Sequence, residues 1–150
     1  MRVTRRSVVQ HALVDTNVLY GALQKRDQFH EEGLAIVTAA DAHDLPVCIV
    51  LDFVLAETMN ALTQELAHEE TTEALSMVRE SAGFEIRRTT NEVWATGLGV
   101  YEAHAHLSLV DAMLVAYARE TDSSYIYSFD DGFDSVDGVR RLNTSRSCVA

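Results

Sequence analysis

The segment Val47-Cys-Ile-Val-Leu51 constrains the fold most. It is apolar at every position, with no alternation, and directly follows Pro46, the only proline in the chain. A strand apolar on both sides must be covered on both faces, as in parallel sheets flanked by helices. His11-Ala-Leu-Val-Asp15 and Ser124-Tyr-Ile-Tyr-Ser128 read as strands of the same kind, and Phe84-Glu-Ile-Arg-Arg88 and Val139-Arg-Arg-Leu142 as two more. Helical periodicity fills the intervals: Thr16 to Leu23, Gln28 to His43, Phe53 to Ala67 with Asp52 as its cap, Thr71 to Ser81 stopped by Gly83, Asn91 to His104, and Leu109 to Arg119. Asp130-Asp-Gly132 reads as a turn. Strands alternating with helices predict an α/β domain of three layers, α/β/α, with a mainly parallel sheet of four to five strands. The length, 150 residues, suits one domain spanning the chain. In such sheets, sites form beyond the carboxyl ends of the strands.

Composition narrows the function. At 47% hydrophobic residues the chain can build a core. No apolar run approaches the roughly 18 residues that cross a bilayer. The basic stretch Met1 to Ser7 has no apolar h-region after it, so the expected location is cytoplasmic, away from membranes. Cys48 and Cys148 are far apart and form no C-x-x-C, which removes a disulfide framework or zinc site and leaves Cys48 as a core residue. The formal charge is −11, and Lys25 is the only lysine beside eleven arginines. An acidic surface poor in lysine suits a salt-adapted, halophilic source, where salt screens the repulsion. Such a chain is a poor general nucleic-acid binder, because phosphate neutralisation normally drives that affinity. Help must be local, from metal ions or from Arg2, Arg5, Arg6, Arg87, Arg88, Arg140, Arg141 and Arg146. No P-loop, dinucleotide-binding glycine motif or G-x-S-x-G is present.

Four acids fall where a site is expected. Asp15 and Asp130 follow the first and fourth strands, so both reach the same sheet edge. Glu57 lies one turn into a helix among Phe53, Val54, Asn60 and Ala61, and a carboxylate there either sits on the apolar stripe and calls for a partner or a cation, or stands at the stripe's edge and reaches outward. Asp111 closes Ser108-Leu-Val-Asp111, a capping-box pattern that also starts a helix near that edge. Four converging carboxylates raise one another's pKa, and hard cations such as Mg²⁺ or Mn²⁺ relieve the repulsion through oxygen ligands. An all-carboxylate metal site beside a phosphodiester suggests metal-assisted hydrolysis by an activated water.

The segments Leu13-Val-Asp15-Thr-Asn17-Val-Leu, Val54-Leu-Ala-Glu57-Thr-Met-Asn-Ala-Leu62, Leu107-Ser-Leu-Val-Asp111-Ala-Met-Leu-Val-Ala and Ser128-Phe-Asp130-Asp-Gly-Phe133 stand in order along the chain. In this set the sequence resembles the PIN-domain family, and within it the VapC-type toxins of toxin–antitoxin pairs, over residues 11–142. The resemblance implies a Mg²⁺- or Mn²⁺-dependent endoribonuclease, the toxin of a type II pair. Asp15, Glu57, Asp111 and Asp130 would be both metal ligands and catalytic acids. Asn17 and Ser128 would be supporting polar residues, with Ser128 standing where the family often has Thr. Asp131 competes with Asp130 for the fourth place, and Asp134 is an outer-shell candidate or a solvated loop charge. The resemblance also implies an RNA substrate, a homodimer and a small antitoxin whose segment crosses the active edge. A solitary PIN nuclease in RNA processing and a non-catalytic RNA-binding scaffold are the alternatives. An aspartyl-phosphate phosphatase fits poorly, because Asn17 stands where its second acid belongs and Lys25 is far from the third motif. His104 and His106, at i and i+2, are read as surface or helix-end histidines. Trp94, Tyr101 and Tyr117 are read as core or dimer contacts, and Tyr20 as a packing residue or a base-stacking one.

Overall fold

The structure is a computed structural model and describes residues 10–146. Arg2, Arg5, Arg6 and Cys148 lie outside the described residues. The strands are β1 (His11–Val14), β2 (Val47–Leu51), β3 (Phe84–Arg87), β4 (Tyr125–Tyr127) and β5 (Arg140–Leu142). The α-helices are α1 (Thr16–Leu23), α2 (His30–Asp41), α3 (Asp52–Glu65), α4 (His68–Glu80), α5 (Asn91–Ala103) and α6 (Leu109–Glu120), and a 3-10 turn covers Asp131–Ser135. The sheet has five strands in the order β3-β2-β1-β4-β5. Every neighbouring pair is parallel, so the expected mainly parallel sheet is wholly so. In the centre, Leu13 sits opposite both Ile49 and Ile126. Ala12 to Val14, Cys48 to Leu51, Ile126 and Tyr127 are each at most 1% exposed, as strands covered on both faces require. Burial pushes the Cys48 thiol up to about 12, in keeping with a core residue.

The strand order fixes where a site can form. From β1 the chain steps outward through β2 to β3, then crosses back to β4 and continues outward to β5. Right-handed crossovers put helices before and after that reversal on opposite faces. Leu19 and Leu23 of α1, Val37 of α2, Val78 of α4 and Phe84 of β3 line one groove, while α5 packs on α6. The reversal falls between β1 and β4, whose carboxyl ends carry Asp15 and Ser128. That is the crevice where open α/β sheets bind ligands.

Helix boundaries differ from the sequence expectation for local reasons. α2 begins at His30, after Asp27 Oδ2 accepts the Phe29 N–H (3.0 Å). It ends at Asp41, and His43 takes a left-handed φ of 63°. α4 starts at His68, before the expected Thr71, where Glu70 Oε1 accepts the Ala67 N–H (3.3 Å). Asp52 opens α3 as its first residue, with Leu51 as the cap. Its carboxylate accepts from Phe53 N (3.0 Å), Thr89 N (3.1 Å) and Thr89 Oγ1 (2.6 Å), fastening α3 to the segment after β3. Those bonds hold the carboxyl below its usual pKa despite partial burial.

Two glycines test the packing in opposite directions. A Cβ on Gly83 would lie 2.3 Å from Ala40 O, a backbone atom that cannot swing aside, whereas one on Gly99 would meet nothing within 4 Å. Gly83→Ala is expected to destabilise by about 2 kcal/mol or more through overpacking. Gly99→Ala, in the exposed interior of α5, is expected to stabilise by about 0.5–1 kcal/mol. Urea denaturation of the two variants beside the parent checks both signs.

Candidate active site

Asp15 is the buried centre of the crevice, 4% exposed. It leaves β1 still joined to the sheet, since its N–H donates to Tyr127 O (2.9 Å). It is also the N-cap of α1, with Oδ1 accepting the Thr16 N–H (2.8 Å). Oδ2 accepts from the Ser128 hydroxyl at 2.7 Å. The same Ser128 oxygen accepts from Asp130 N (3.0 Å) and Asn17 Nδ2 (3.4 Å), which uses its donor and both lone pairs. Asn17 in turn accepts the Phe129 N–H through Oδ1 (3.2 Å). The β1 and β4 exits are therefore laced together by Asp15, Asn17 and Ser128. Asn17 and Ser128 thus both touch the segment that joins Asp15 to Asp130.

The other acids surround this centre at different depths. Asp111 is half-buried near the start of α6, where its N–H donates to Ser108 Oγ (3.1 Å) as the capping pattern predicts. Asp130 is exposed and caps the 3-10 turn, with Oδ1 accepting the Gly132 N–H (2.9 Å). Glu57 takes the second of the two readings open to it, at the edge of the apolar stripe. The buried stripe of α3 is Val54, Thr58 and Leu62, and Glu57 lies beside it, facing solvent. Exposed as it is, its charge still reaches Asp111.

Electrostatics connects the four. Burial, then the charge of Asp111, and to a smaller extent that of Asp130, push Asp15 up to about 7 against the hydrogen bonds from Ser128 and Thr16. Burial raises Asp111 as well, helped by Asp130 and Glu57 and opposed by Ser108. Asp130, not Asp131, is the neighbour that acts on both Asp15 and Asp111. Asp134 is differently engaged: both its oxygens accept from Arg141 (2.9 Å each), which holds its carboxyl below the usual range. Arg141 also donates to Ser128 O (3.4 Å), so this pair braces the turn that carries Asp130.

The donor chemistry fits a hard divalent cation, since every group is a carboxylate, hydroxyl or amide oxygen and the charges that act on the most buried acid, Asp111 and Asp130, are both negative. Among the described residues, no three acids or histidines stand close enough to form a ready-made cage. The residues that would hold Mg²⁺ or Mn²⁺ are Asp15 and Asp111, with Asp130 and Glu57 at the rim.

Two contacts had no clear sequence signal. His106 Nε2 meets Gly132 O (3.1 Å) and Ser135 Oγ (3.2 Å), pinning the 3-10 turn from the other side. Phe29 stacks on Phe129 across a long sequence gap. His104 ends α5, its Nδ1 meeting Val100 O (2.9 Å), as a helix-end histidine should. Tyr117 is buried in the core, whereas Trp94 and Tyr101 stand 41% and 48% exposed.

A sheet-edge crevice lined by these ordered acids has a counterpart among known families, for the PIN domain model matches residues 12–139. The chain belongs to the PIN-domain family. No curated protein matches it. Among solved structures it is similar to the Mycobacterium tuberculosis toxin VapC20, described as cleaving the sarcin–ricin loop, with 23% identity, a TM-score of 0.71, and 83% of this chain and 93% of that one covered. It is also similar to a chain of a toxin–antitoxin complex from Klebsiella pneumoniae (18% identity, TM-score 0.60, covering 86% and 95%). A third is VapBC2 of Rickettsia felis, bound to a DNA fragment from its promoter (13%, 0.69, 90% and 99%). At these identities the likeness shows the fold, and the structural neighbours of this PIN domain are VapC toxins and their complexes.

The raised Asp15 makes a stability prediction for the metal-free protein. Between its ordinary pKa, 3.8, and about 7, the native state holds this proton while the unfolded chain has released it. Stability from this group is therefore fullest below pH 4 and is lost as pH rises through 7, by on the order of 4 kcal/mol. Asp15→Asn should be more stable than the parent at pH 8 and about equal at pH 4. Denaturant titrations of both proteins in a chelator at several pH values measure the difference.

Proposed function

We propose that this chain is a Mg²⁺- or Mn²⁺-dependent endoribonuclease acting as one PIN nuclease domain, the toxin of a type II toxin–antitoxin pair. The observation that carries the reading is the buried Asp15, raised to about 7 where β1 and β4 diverge, with Asp111 and Asp130 adding to its pKa. A carboxylate so placed gains most from a cation. When bound, the metal supplies positive charge for the acids and the phosphodiester and makes water acidic enough to attack phosphorus. Asp15 and Asp111 would be its more buried ligands, and Asp130 and Glu57 its exposed ones. Ser128 fixes the orientation of Asp15 Oδ2 by its hydrogen bond, and Asn17 fixes the backbone after Ser128. Asp134 steadies the Asp130 turn through Arg141.

Partners follow from the surface. Large exposed apolar side chains among the described residues fall in two places: Trp94, Leu98 and Tyr101 along α5, and Leu34 and Met77 beside the groove between α2 and α4. Two separate apolar areas suit two protein partners, a second copy of this chain and an antitoxin segment. No helix among the described residues is long and apolar enough to cross a membrane. The −11 charge and single lysine favour a salt-adapted protein.

Purified protein freed of antitoxin should cut single-stranded or loop RNA with Mn²⁺ or Mg²⁺ and stop when the metal is chelated. Asp15→Asn and Asp111→Asn should each lower the rate by about 100-fold or more. Gel assays on total RNA check this, and metal-independent cleavage, or no cleavage by the active fraction, would sink the proposal.

A further inference from the structure

The pair Phe29 and Phe129 lies at the lip of this crevice without a role in it. Their rings stack at 4.7 Å between centroids, 21° from parallel. Phe129 stands between Ser128, which holds Asp15, and Asp130. Its backbone is fixed by Asn17, and its ring leans on the core. Phe29 is only partly buried and is not among the hydrophobic residues packed on that core. It is nevertheless rigidly mounted. Asp27 holds its N–H (3.0 Å), Gly33 N donates to its carbonyl (2.8 Å), and a Cβ on Gly21 would come within 3.0 Å of that carbonyl. A fixed, partly exposed aromatic beside a cluster of acids is poorly explained by packing alone.

The charge of the chain suggests what it is for. Phosphate attraction, the usual source of nucleic-acid affinity, is weak in a protein of net charge −11. Arginines Arg87, Arg88 and Arg141 are committed to Glu85, Asp52 and Asp134. Stacking of bases on aromatic rings is a further sequence-tolerant source of affinity beside any bound cation, and salt does not screen it as it screens charge. Resting on the nuclease reading above, we propose that Phe29 and Phe129 form a stacking subsite for one unpaired base of the RNA, placed next to the bond that is cut. The two members of the pair are a hundred residues apart in the chain.

The test is fluorescence anisotropy with two labelled probes of equal length and charge: an oligodeoxyadenylate and an oligomer of abasic tetrahydrofuran residues. The proteins are the parent, Phe29→Leu and Phe29→Trp, with Mg²⁺ present and each fold confirmed by its denaturation midpoint. The subsite predicts that the parent prefers the adenylate. Phe29→Leu should lose that preference by about tenfold or more while binding the abasic probe as before. Phe29→Trp should keep or strengthen it. In Mn²⁺-dependent cleavage of an unstructured RNA, Phe29→Leu should raise KM and spare kcat. Equal binding of both probes by parent and Phe29→Leu overturns the subsite, and so does an equal loss on both probes. Absence of cleavage by the parent with base-dependent binding intact would refute the nuclease reading and leave the subsite standing.

Discussion

Asp15 meets three physical demands at once. It is buried, it caps a helix, and it receives the Ser128 hydroxyl. Its two hydrogen bonds do not offset the cost of burying a charge with other carboxylates near it, and the acid is pushed up to about 7. A fold that only needed a helix cap there could use serine or asparagine. The acid becomes favourable once a divalent cation supplies the missing positive charge. On the proposed reading, Asp111, Asp130 and Glu57 would share that cation instead of repelling one another.

The topology makes this arrangement possible. Because the strand order reverses between β1 and β4, the connections leaving them diverge and leave a crevice at their carboxyl ends. Asp15 N to Tyr127 O keeps the two exits in register, and Ser128 and Asn17 continue the lacing beyond the last ladder bond. Arg141 with Asp134 on one side and His106 on the other secure the turn that carries Asp130. Most polar contacts near the crevice thus serve to hold acids in place.

Much of this was legible in the sequence because the signals were local. The unbroken apolar run at Val47 to Leu51 called for a strand covered on both faces, and α1 and β2 fall on their expected bounds. The capping pattern at Ser108 appears as the Ser108–Asp111 bond. Asp15 and Asp130 reach one edge because both follow neighbouring parallel strands. What the sequence left open concerns side-chain direction and pairing over distance. Glu57 has apolar neighbours at i−3 and i+4, but the buried stripe passes through Thr58, and periodicity alone does not fix which edge of a stripe a residue occupies. Asp134 could be read as a free loop acid because Arg141, its partner, comes from a strand formed only by tertiary pairing. The Phe29–Phe129 stack joins the ends of two loops that nothing in the local sequence connects.

If the buried acid at the β1–β4 exit serves to bind a divalent cation, its proton and the cation compete for one site. Calorimetric titration of Mn²⁺ into the chelator-treated protein at pH 7, in buffers of different ionisation heat, tests it most directly. The account predicts saturable binding with release of about half a proton per ion from Asp15, both lost in Asp15→Asn. Binding without proton release, unchanged in Asp15→Asn, or no binding at all, would contradict it.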